Sequence, residues 1–313
     1  MIDAVLAIPS FIIGIIFLWK GSDVLVKGTS NTAAKFGISS IIISLIIVAF
    51  GTSAPEFAIS FGAALQNRAD ITLGNIIGSC VANILLVIGI SAIIKPIKIK
   101  KSLIRREIPI FTGASILLFI FSYFGFLDNY HLFGGLFFLI LFTLFIIYFI
   151  QCARKERKYN DKYGEGSTKK NILFIIIGIT GVVFGAWLLI ESAITIADYL
   201  SIPRFVIALS IVAIGTSLPE LVVSAMAAYK GESDIAIGNV LGSNVFNIFL
   251  ILGASALFIP LQAVNYFYHL IFLLIATFIL IPVVHTGHII SRLEGFFFLI
   301  IYSVFIWYIF FLN

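Results

Sequence analysis

The sequence predicts an all-α membrane protein with ten transmembrane helices in two inverted five-helix repeats. Three observations support this prediction: an unusually apolar composition, long uninterrupted apolar runs and a strong internal repeat. Of the 313 residues, 61% are hydrophobic and only 11% are charged, and the mean hydropathy is +1.14. Soluble domains carry roughly 25% charged residues. The composition therefore excludes an ordinary soluble enzyme.

Ten apolar stretches are long enough to cross a bilayer, which takes about 20 mainly apolar residues. These runs are continuous rather than alternating, which excludes a transmembrane β-barrel. The spans lie near residues 4–26, 39–66, 71–94, 107–126, 131–152, 171–196, 203–229, 235–259, 264–284 and 289–311.

Basic residues between the spans predict the orientation of the chain, because cytoplasmic loops are enriched in Lys and Arg. Six of the 20 lie between the third and fourth spans and seven between the fifth and sixth. Only Arg68 and Arg204 fall on the opposite side. We therefore expect a multi-pass protein of the cell membrane with both termini extracellular and a cytoplasmic linker at 153–170. The net charge of +5 lies in loops and forms no basic face, which argues against a nucleic-acid partner.

An internal repeat divides the chain at an offset of 164 residues. The segment Gly51–Glu56 reads GTSAPE and its counterpart Gly215–Glu220 reads GTSLPE, and the same register aligns further polar residues without a gap. The predicted organisation is a first repeat at 1–152, the linker at 153–170 and a second repeat at 171–313. A repeat of five spans has an odd number of crossings, so the second copy is inverted. Inverted repeats are a common plan of secondary transporters, which bind their cargo at the bilayer midplane.

Two acidic residues, Glu56 and Glu220, lie deep within apolar spans at matching repeat positions. A charged side chain at mid-bilayer costs about 2.5–3.5 kcal/mol on insertion scales, so such residues need a compensating charge. No Lys or Arg lies in the central part of any span. The counter-charge is therefore a cation or a proton.

The residues around each Glu predict an ion site at midplane between discontinuous helices. Pro55 and Pro219 should break their helices and free backbone carbonyls near Gly51 and Gly215. Hydroxyls, amides and carboxylates then form an all-oxygen ligand set, which suits Na⁺ and Ca²⁺. The candidate ligands are Thr52, Ser53, Glu56, Ala49, Ser79 and Asn83 with their counterparts Thr216, Ser217, Glu220, Ala213, Ser243 and Asn247. We assign Asn75 and Asn239 to interhelical hydrogen bonds instead.

With these motifs the chain resembles the sodium/calcium exchangers of the Ca²⁺/cation antiporter superfamily, in the prokaryotic form with two α-repeats. The resemblance implies exchange of about three Na⁺ for one Ca²⁺ by alternating access. It also implies that Glu56, Glu220, Thr52 and Thr216 surround Ca²⁺. The implied Na⁺ sites pair Ser243 with the Ala213 carbonyl and Ser79 with the Ala49 carbonyl. The first and sixth helices would slide as the gate, eased by Gly14, Gly21, Gly178 and Gly185.

Two other functions stay open at this stage. A Ca²⁺/H⁺ antiporter is one, because a midplane Glu can carry a proton, and a cation-selective channel is the other. Some members of the superfamily carry Asp where this chain has Asn247, and from the neutral side chain we expect potassium-independent transport. We expect no enzymatic activity and no cofactor. Ca²⁺ and Na⁺ are the expected transported ions, and the protein is expected to be a monomer in the lipid bilayer.

Overall fold

The computed structural model describes residues 4–159, 167–199, 215–285 and 287–311, and almost all of them are helical. Several helices contain a short π-helical or irregular segment and are treated as single elements. The helices are α1 Ala4–Phe36, α2 Ser40–Thr52, α3 Ala54–Leu65, α4 Ala69–Ile94, α5 Lys101–Arg105, α6 Glu107–Tyr123, α7 His131–Tyr159, α8 Thr168–Tyr199, α9 Leu218–Lys230, α10 Ser233–Ala256, α11 Phe267–His285 and α12 Arg292–Phe311.

The described helices agree with the predicted spans in place and type. Seven of them are long and apolar enough to cross a membrane, or eight if the bent pair α2 and α3 is one span. Helix α6 has 17 residues, which is the lower limit for a spanning helix. The first part of the seventh predicted span lies outside the described residues. The multi-pass membrane fold is thus confirmed, whereas the count of ten stays a prediction.

Helix α1 is longer than predicted, because it continues to Phe36 rather than ending near residue 26. The extension is more polar than the rest of α1, but Thr32 and Ala33 are buried. A Cβ atom on Gly28 would lie 3.0 Å from the backbone nitrogen of Ile175. The extension is therefore stabilised by close packing against α8, which local polarity does not reveal.

Glycines let α1 and α8 pack backbone to backbone. A Cβ atom on Gly14 would lie 3.0 Å from the carbonyl oxygen of Gly185, and one on Gly21 would lie 2.8 Å from the backbone nitrogen of Val182. Small residues at such positions are what allow membrane helices to approach closely. Three of the four glycines expected to ease sliding thus lie on this contact, and the fourth, Gly178, meets Leu25 there.

The second predicted span is broken at Ser53. Helices α2 and α3 meet there at an angle of 50°, and Pro55 occupies the first turn of α3. Proline is favoured in a first helical turn and disfavoured in a helix interior, so Pro55 fixes the position of the break. The predicted discontinuous helix is confirmed in this half. In the second half, Ser217 likewise precedes α9, which has Pro219 in its first turn, and the chain before Gly215 lies outside the described residues.

Among the described residues, three π-helical segments flank the same region and were not predicted. They lie at Ser44–Val48, Asn83–Val87 and Phe246–Ile251. Segments of this kind are rare and are frequently found at functional sites. Two of them follow the polar segments of α4 and α10 directly.

Helices α2 and α10 cross closely through two glycines. A Cβ atom on Gly238 would lie 3.0 Å from the Ile41 carbonyl oxygen, and one on Gly242 would lie 2.4 Å from that of Leu45. The second half therefore has a face of small residues at this crossing. A Cβ atom on Gly74 or Gly78, the counterparts in the first half, would meet no described residue within 4 Å.

One end of the molecule carries most of the ionic contacts. Lys100 pairs with Asp234 at 2.5 Å and Lys230 with Asp23 at 2.7 Å. The segment after α4 thus contacts the first turn of α10, and the end of α9 contacts Asp23 within α1. A two-residue antiparallel pairing of Ile97–Lys98 with Ile289–Ile290 lies nearby and was not expected. The side of the membrane that this end faces stays a prediction.

Candidate ion-binding site

The two intramembrane glutamates begin the helices that follow the two breaks. Glu56 lies in the first turn of α3 and Glu220 in the first turn of α9. Their exposed fractions are 1% and 0%. The N-terminus of a helix carries a partial positive charge and unpaired N–H groups, which favour a nearby carboxylate. The breaks therefore place two buried carboxylates where backbone dipoles partly offset their cost.

Hydrogen bonds connect each glutamate to the break of the other half. Ser53 Oγ donates to Glu220 Oε1 at 3.0 Å, and Ser217 Oγ donates to Glu56 Oε1 at 3.4 Å. Ser243 Oγ also donates to Glu220 Oε1, at 3.2 Å. The second oxygen of each carboxylate, Oε2, is buried and has no hydrogen-bond partner among the described residues. Each carboxylate is thus held by one oxygen and can offer the other to a cation.

No basic side chain neutralises this pair within the described part of the chain. The ion pairs found there involve other acidic residues near the helix ends, such as Asp70 and Glu107. The same residues contain no cluster of three or more His, Cys, Asp or Glu. The site therefore consists of two carboxylates and neutral oxygen ligands, the donor set that hard cations such as Na⁺ and Ca²⁺ prefer.

Thr52 and Asn239 link the two halves on one side of the carboxylates. Thr52 Oγ1 donates to Asn239 Oδ1 at 3.0 Å, and Asn239 Nδ2 donates to Ser224 Oγ at 3.1 Å. Asn239 therefore forms the interhelical hydrogen bonds that the sequence predicted. The Thr52 hydroxyl thus donates its proton to protein, and its oxygen lone pairs have no part in these hydrogen bonds.

The same arrangement recurs around Thr216 and Asn75. Thr216 Oγ1 donates to Asn75 Oδ1 at 3.4 Å, and Asn75 Nδ2 donates to Ser60 Oγ at 2.9 Å. The recurrence shows that the internal repeat extends to the hydrogen-bond pattern. It also shows that the two threonines have equivalent surroundings.

The structure describes the remaining predicted ligands with one exception. Ser79 is buried, and the Ala49 carbonyl accepts the Ser53 N–H at 2.9 Å. Asn83 Nδ2 donates to Ser243 Oγ at 3.1 Å. Asn247 is fully buried, and its amide has no partner among the described residues. Ala213 lies outside the described residues.

Asn244 belongs to this network although the sequence did not single it out. It is fully buried, and its Oδ1 accepts a hydrogen bond from Asn83 Nδ2 at 2.9 Å. Its Nδ2 donates to the Cys80 carbonyl at 3.4 Å. The repeat contained the relevant signal, because an offset of 164 aligns Asn244 with Cys80. In the alignment of the two repeats, Asn244 is a polar residue matched with a cysteine, and the positions on either side of it are identical. That mismatch is the signal in the sequence.

A cavity of about 1190 Å³ lies between the broken helix and α8 and extends to Thr216. Its lining is mainly apolar, with Glu191 as an acidic member. Two isoleucines of α8 cover the breaks: a Cβ atom on Gly51 would lie 2.5 Å from Ile179, and one on Gly215 would lie 2.8 Å from Ile190. A shift of α8 would therefore change the cover of both breaks.

Comparison with known protein families places this architecture among ion exchangers. A family model described as sodium/calcium exchanger protein matches residues 6–151 and 170–311, which is nearly the whole chain in two segments. The two segments correspond to the two halves that provide the carboxylates.

Individual relatives cover similar lengths. The sodium/calcium exchanger MaX1 of Methanosarcina acetivorans is 34% identical over 96% of this chain and 97% of its own length. The uncharacterized membrane protein MJ0091 of Methanocaldococcus jannaschii is 37% identical over 83% of this chain and 85% of its own. Among solved structures, the sodium-calcium exchanger NCX_Mj soaked with 100 mM Na⁺ and 10 mM Sr²⁺ superposes with a TM-score of 0.86, at 33% identity over 96% of this chain and 98% of that chain.

Proposed function

The chain belongs to the sodium/calcium exchanger family, and from this membership we propose that it exchanges about three Na⁺ for one Ca²⁺ across the cell membrane by alternating access. It is a multi-pass membrane transporter and not an enzyme. Its relatives include an exchanger named for sodium and calcium and a structure soaked with Na⁺ and Sr²⁺. The proposal assigns Na⁺ and Ca²⁺ to the site described above.

The observation that carries the proposal is the buried pair Glu56 and Glu220, in which each carboxylate has one oxygen without a partner among the described residues. Two ionised carboxylates carry a charge of −2, which one Ca²⁺ or two Na⁺ neutralise. A third Na⁺ leaves an excess of +1, so that exchange of three for one moves charge. Competition of both cations for one carboxylate pair couples their transport.

The energetic cost of an unloaded site supports coupling as well. Two buried charges without a cation would pass through the low-dielectric interior at a cost of several kcal/mol each. The loaded site is close to neutral and therefore moves at a lower cost. Movement of α1 and α8 along their glycine contact would then expose the loaded site to either side.

Flux measurements test the function. Purified protein in liposomes should take up ⁴⁵Ca²⁺ when an outward Na⁺ gradient is imposed, with no change when K⁺ is removed. Uptake driven by a pH gradient alone would instead indicate a Ca²⁺/H⁺ antiporter. A conductance far above transporter turnover would indicate a channel. Either result would replace the proposed function.

The orientation is part of the same proposal. We expect both termini outside the cell and the linker 153–170 inside, because the basic loops at that end follow the positive-inside distribution. Single cysteines introduced into the linker in a chain lacking Cys80 and Cys152 should react with an impermeant maleimide only after the cells are opened. Labelling in intact cells would contradict this orientation. A monomeric mass in detergent is expected as well.

A further inference from the structure

One polar position breaks the match between the two ion-binding segments. From Gly78 to Asn83 and from Gly242 to Asn247, the sequences are GSCVAN and GSNVFN. Every polar residue of the first has an identical counterpart in the second, except that Cys80 aligns with Asn244. The two halves therefore have the same candidate ligands but a different neighbour beside them.

Asn244 fixes the orientation of the Asn83 amide. Asn83 Nδ2 donates to Asn244 Oδ1 at 2.9 Å and to Ser243 Oγ at 3.1 Å. An amide NH₂ has two N–H donors, and both are used by these contacts. Asn83 Oδ1 is left buried without a partner among the described residues. A carbonyl oxygen fixed in this way is a pre-oriented cation ligand. Asn244 is itself held through its bond to the Cys80 carbonyl.

Asn247 has no such support. By the repeat, its amide should be held by residue 80, but residue 80 is a cysteine. The Cys80 thiol donates instead to the Asn244 carbonyl oxygen at 3.9 Å, and a thiol is only a weak donor and a weak acceptor. Both Asn247 Nδ2 and Oδ1 are buried without a partner among the described residues. The two candidate amide ligands thus differ in freedom, although they are identical in type.

We propose that positions 80 and 244 determine cation specificity: Asn244 positions Asn83 as a fixed ligand, and Cys80 leaves Asn247 free to turn. This inference rests on the proposed function, because it concerns the ions bound at that site. A fixed carbonyl dipole attracts Ca²⁺ about twice as strongly as Na⁺ at equal distance, since the energy scales with the ionic charge. Ca²⁺ also takes six to eight oxygen ligands. Fixing an amide should therefore favour Ca²⁺, and releasing one should favour Na⁺.

Exchange of the two residues tests this inference. Asn244→Cys should weaken Ca²⁺ binding about five- to tenfold, the effect of losing one organising hydrogen bond, and Na⁺ binding about half as much on a logarithmic scale. Cys80→Asn should fix Asn247 and strengthen Ca²⁺ binding by about threefold relative to Na⁺. The double swap Cys80→Asn/Asn244→Cys should restore the natural ratio of the two affinities within about twofold. Equilibrium ⁴⁵Ca²⁺ binding with Na⁺ competition on the purified full-length chain measures all three.

The controls separate specificity from folding. Cys152→Asn makes the same chemical change at the partly exposed cysteine outside the site, and its Ca²⁺/Na⁺ ratio should match that of the natural chain. A purely structural role of Asn244 would lower the thermal midpoint of Asn244→Cys and leave its Ca²⁺/Na⁺ ratio at the natural value, which would overturn the inference. If Asn244→Cys fails to fold, Cys80→Asn alone decides, because an unchanged or lowered ratio overturns the inference. Absence of Ca²⁺ binding in the natural chain would instead refute the proposed function.

Discussion

Replacing Glu220 with Gln isolates the contribution of one carboxylate to cation binding. The side chain is fully buried, and its Oε1 accepts hydrogen bonds from Ser53 and Ser243. Glutamine has nearly the same shape and keeps a carbonyl oxygen that can accept both bonds. Glu220→Gln therefore removes a charge and leaves the packing almost unchanged.

The expected loss of Ca²⁺ affinity follows from the charge of the loaded site. With only Glu56 ionised, bound Ca²⁺ leaves +1 in the membrane interior, and no basic or acidic side chain of the described residues at the site can compensate it. An uncompensated charge at that depth costs about 2.5–3.5 kcal/mol, which corresponds to Ca²⁺ binding that is about 60- to 300-fold weaker. A single Na⁺ with one carboxylate is neutral. Binding of the first Na⁺ should therefore weaken much less.

Equilibrium ⁴⁵Ca²⁺ binding and Na⁺-driven uptake in liposomes measure this effect. The matched control is Asp70→Asn, which also removes one negative charge. Asp70 pairs with Arg68 at the surface, where the two side chains are 58% and 55% exposed, and exposed pairs contribute little. The control should bind Ca²⁺ within about twofold of the natural chain. If Glu220→Gln bound Ca²⁺ as tightly as this control, a shared carboxylate pair could not be the basis of the site.

Three further predictions concern helix packing, ion dependence and a helix terminus. Gly242→Ala would place a Cβ atom 2.4 Å from a carbonyl oxygen of α2 and should destabilise the fold by about 1–3 kcal/mol. Gly62→Ala, whose Cβ atom would meet no described residue within 4 Å, should leave the thermal midpoint in detergent equal or higher. Asn247→Asp adds a third buried carboxylate, so Ca²⁺ uptake should become sensitive to K⁺ or pH, which uptake assays across both variables measure; unchanged dependence would make that side chain structural only. Glu156 accepts the Ser39 N–H at 2.7 Å at the start of α2, and Glu156→Ala should cost about 1–2 kcal/mol, a loss that thermal unfolding would show and that an unchanged midpoint would contradict.

The sequence predicts most of the fold because lipid imposes a simple rule on it. Each span needs a continuous apolar run, and such runs are visible without any knowledge of packing. The break at Ser53 is also predictable, because Pro55 cannot continue a helix without losing a hydrogen bond. The extension of α1 to Phe36 is not predictable in this way. The extension packs against α8 through Gly28. Because α8 lies more than 130 residues further along the chain, no local pattern in α1 contains this contact.

The sequence predicts which residues belong to the site better than it predicts the hydrogen bonds between them. Glu56 and Glu220 stand out because a charge in an apolar span is costly, and the repeat pairs them. The hydrogen bonds from Ser53 to Glu220 and from Ser217 to Glu56 join positions more than 160 residues apart, so no local pattern contains them. Whether every candidate ligand binds a cation stays a prediction that the variants above test.

An ion site built from two repeats has a specific advantage and a specific difficulty. Equal halves place two carboxylates in matching helix termini, which gives a charge that both one Ca²⁺ and two Na⁺ can neutralise. If the two halves were identical, however, both would prefer the same cation. The site could then distinguish Ca²⁺ from Na⁺ only by the number of ions bound. Departures from the repeat beside the ligands remove this restriction without changing the ligands. Cys80 and Asn244 form such a departure, because one half then fixes its amide and the other leaves it free, and the shared carboxylates can favour different cations on their two sides.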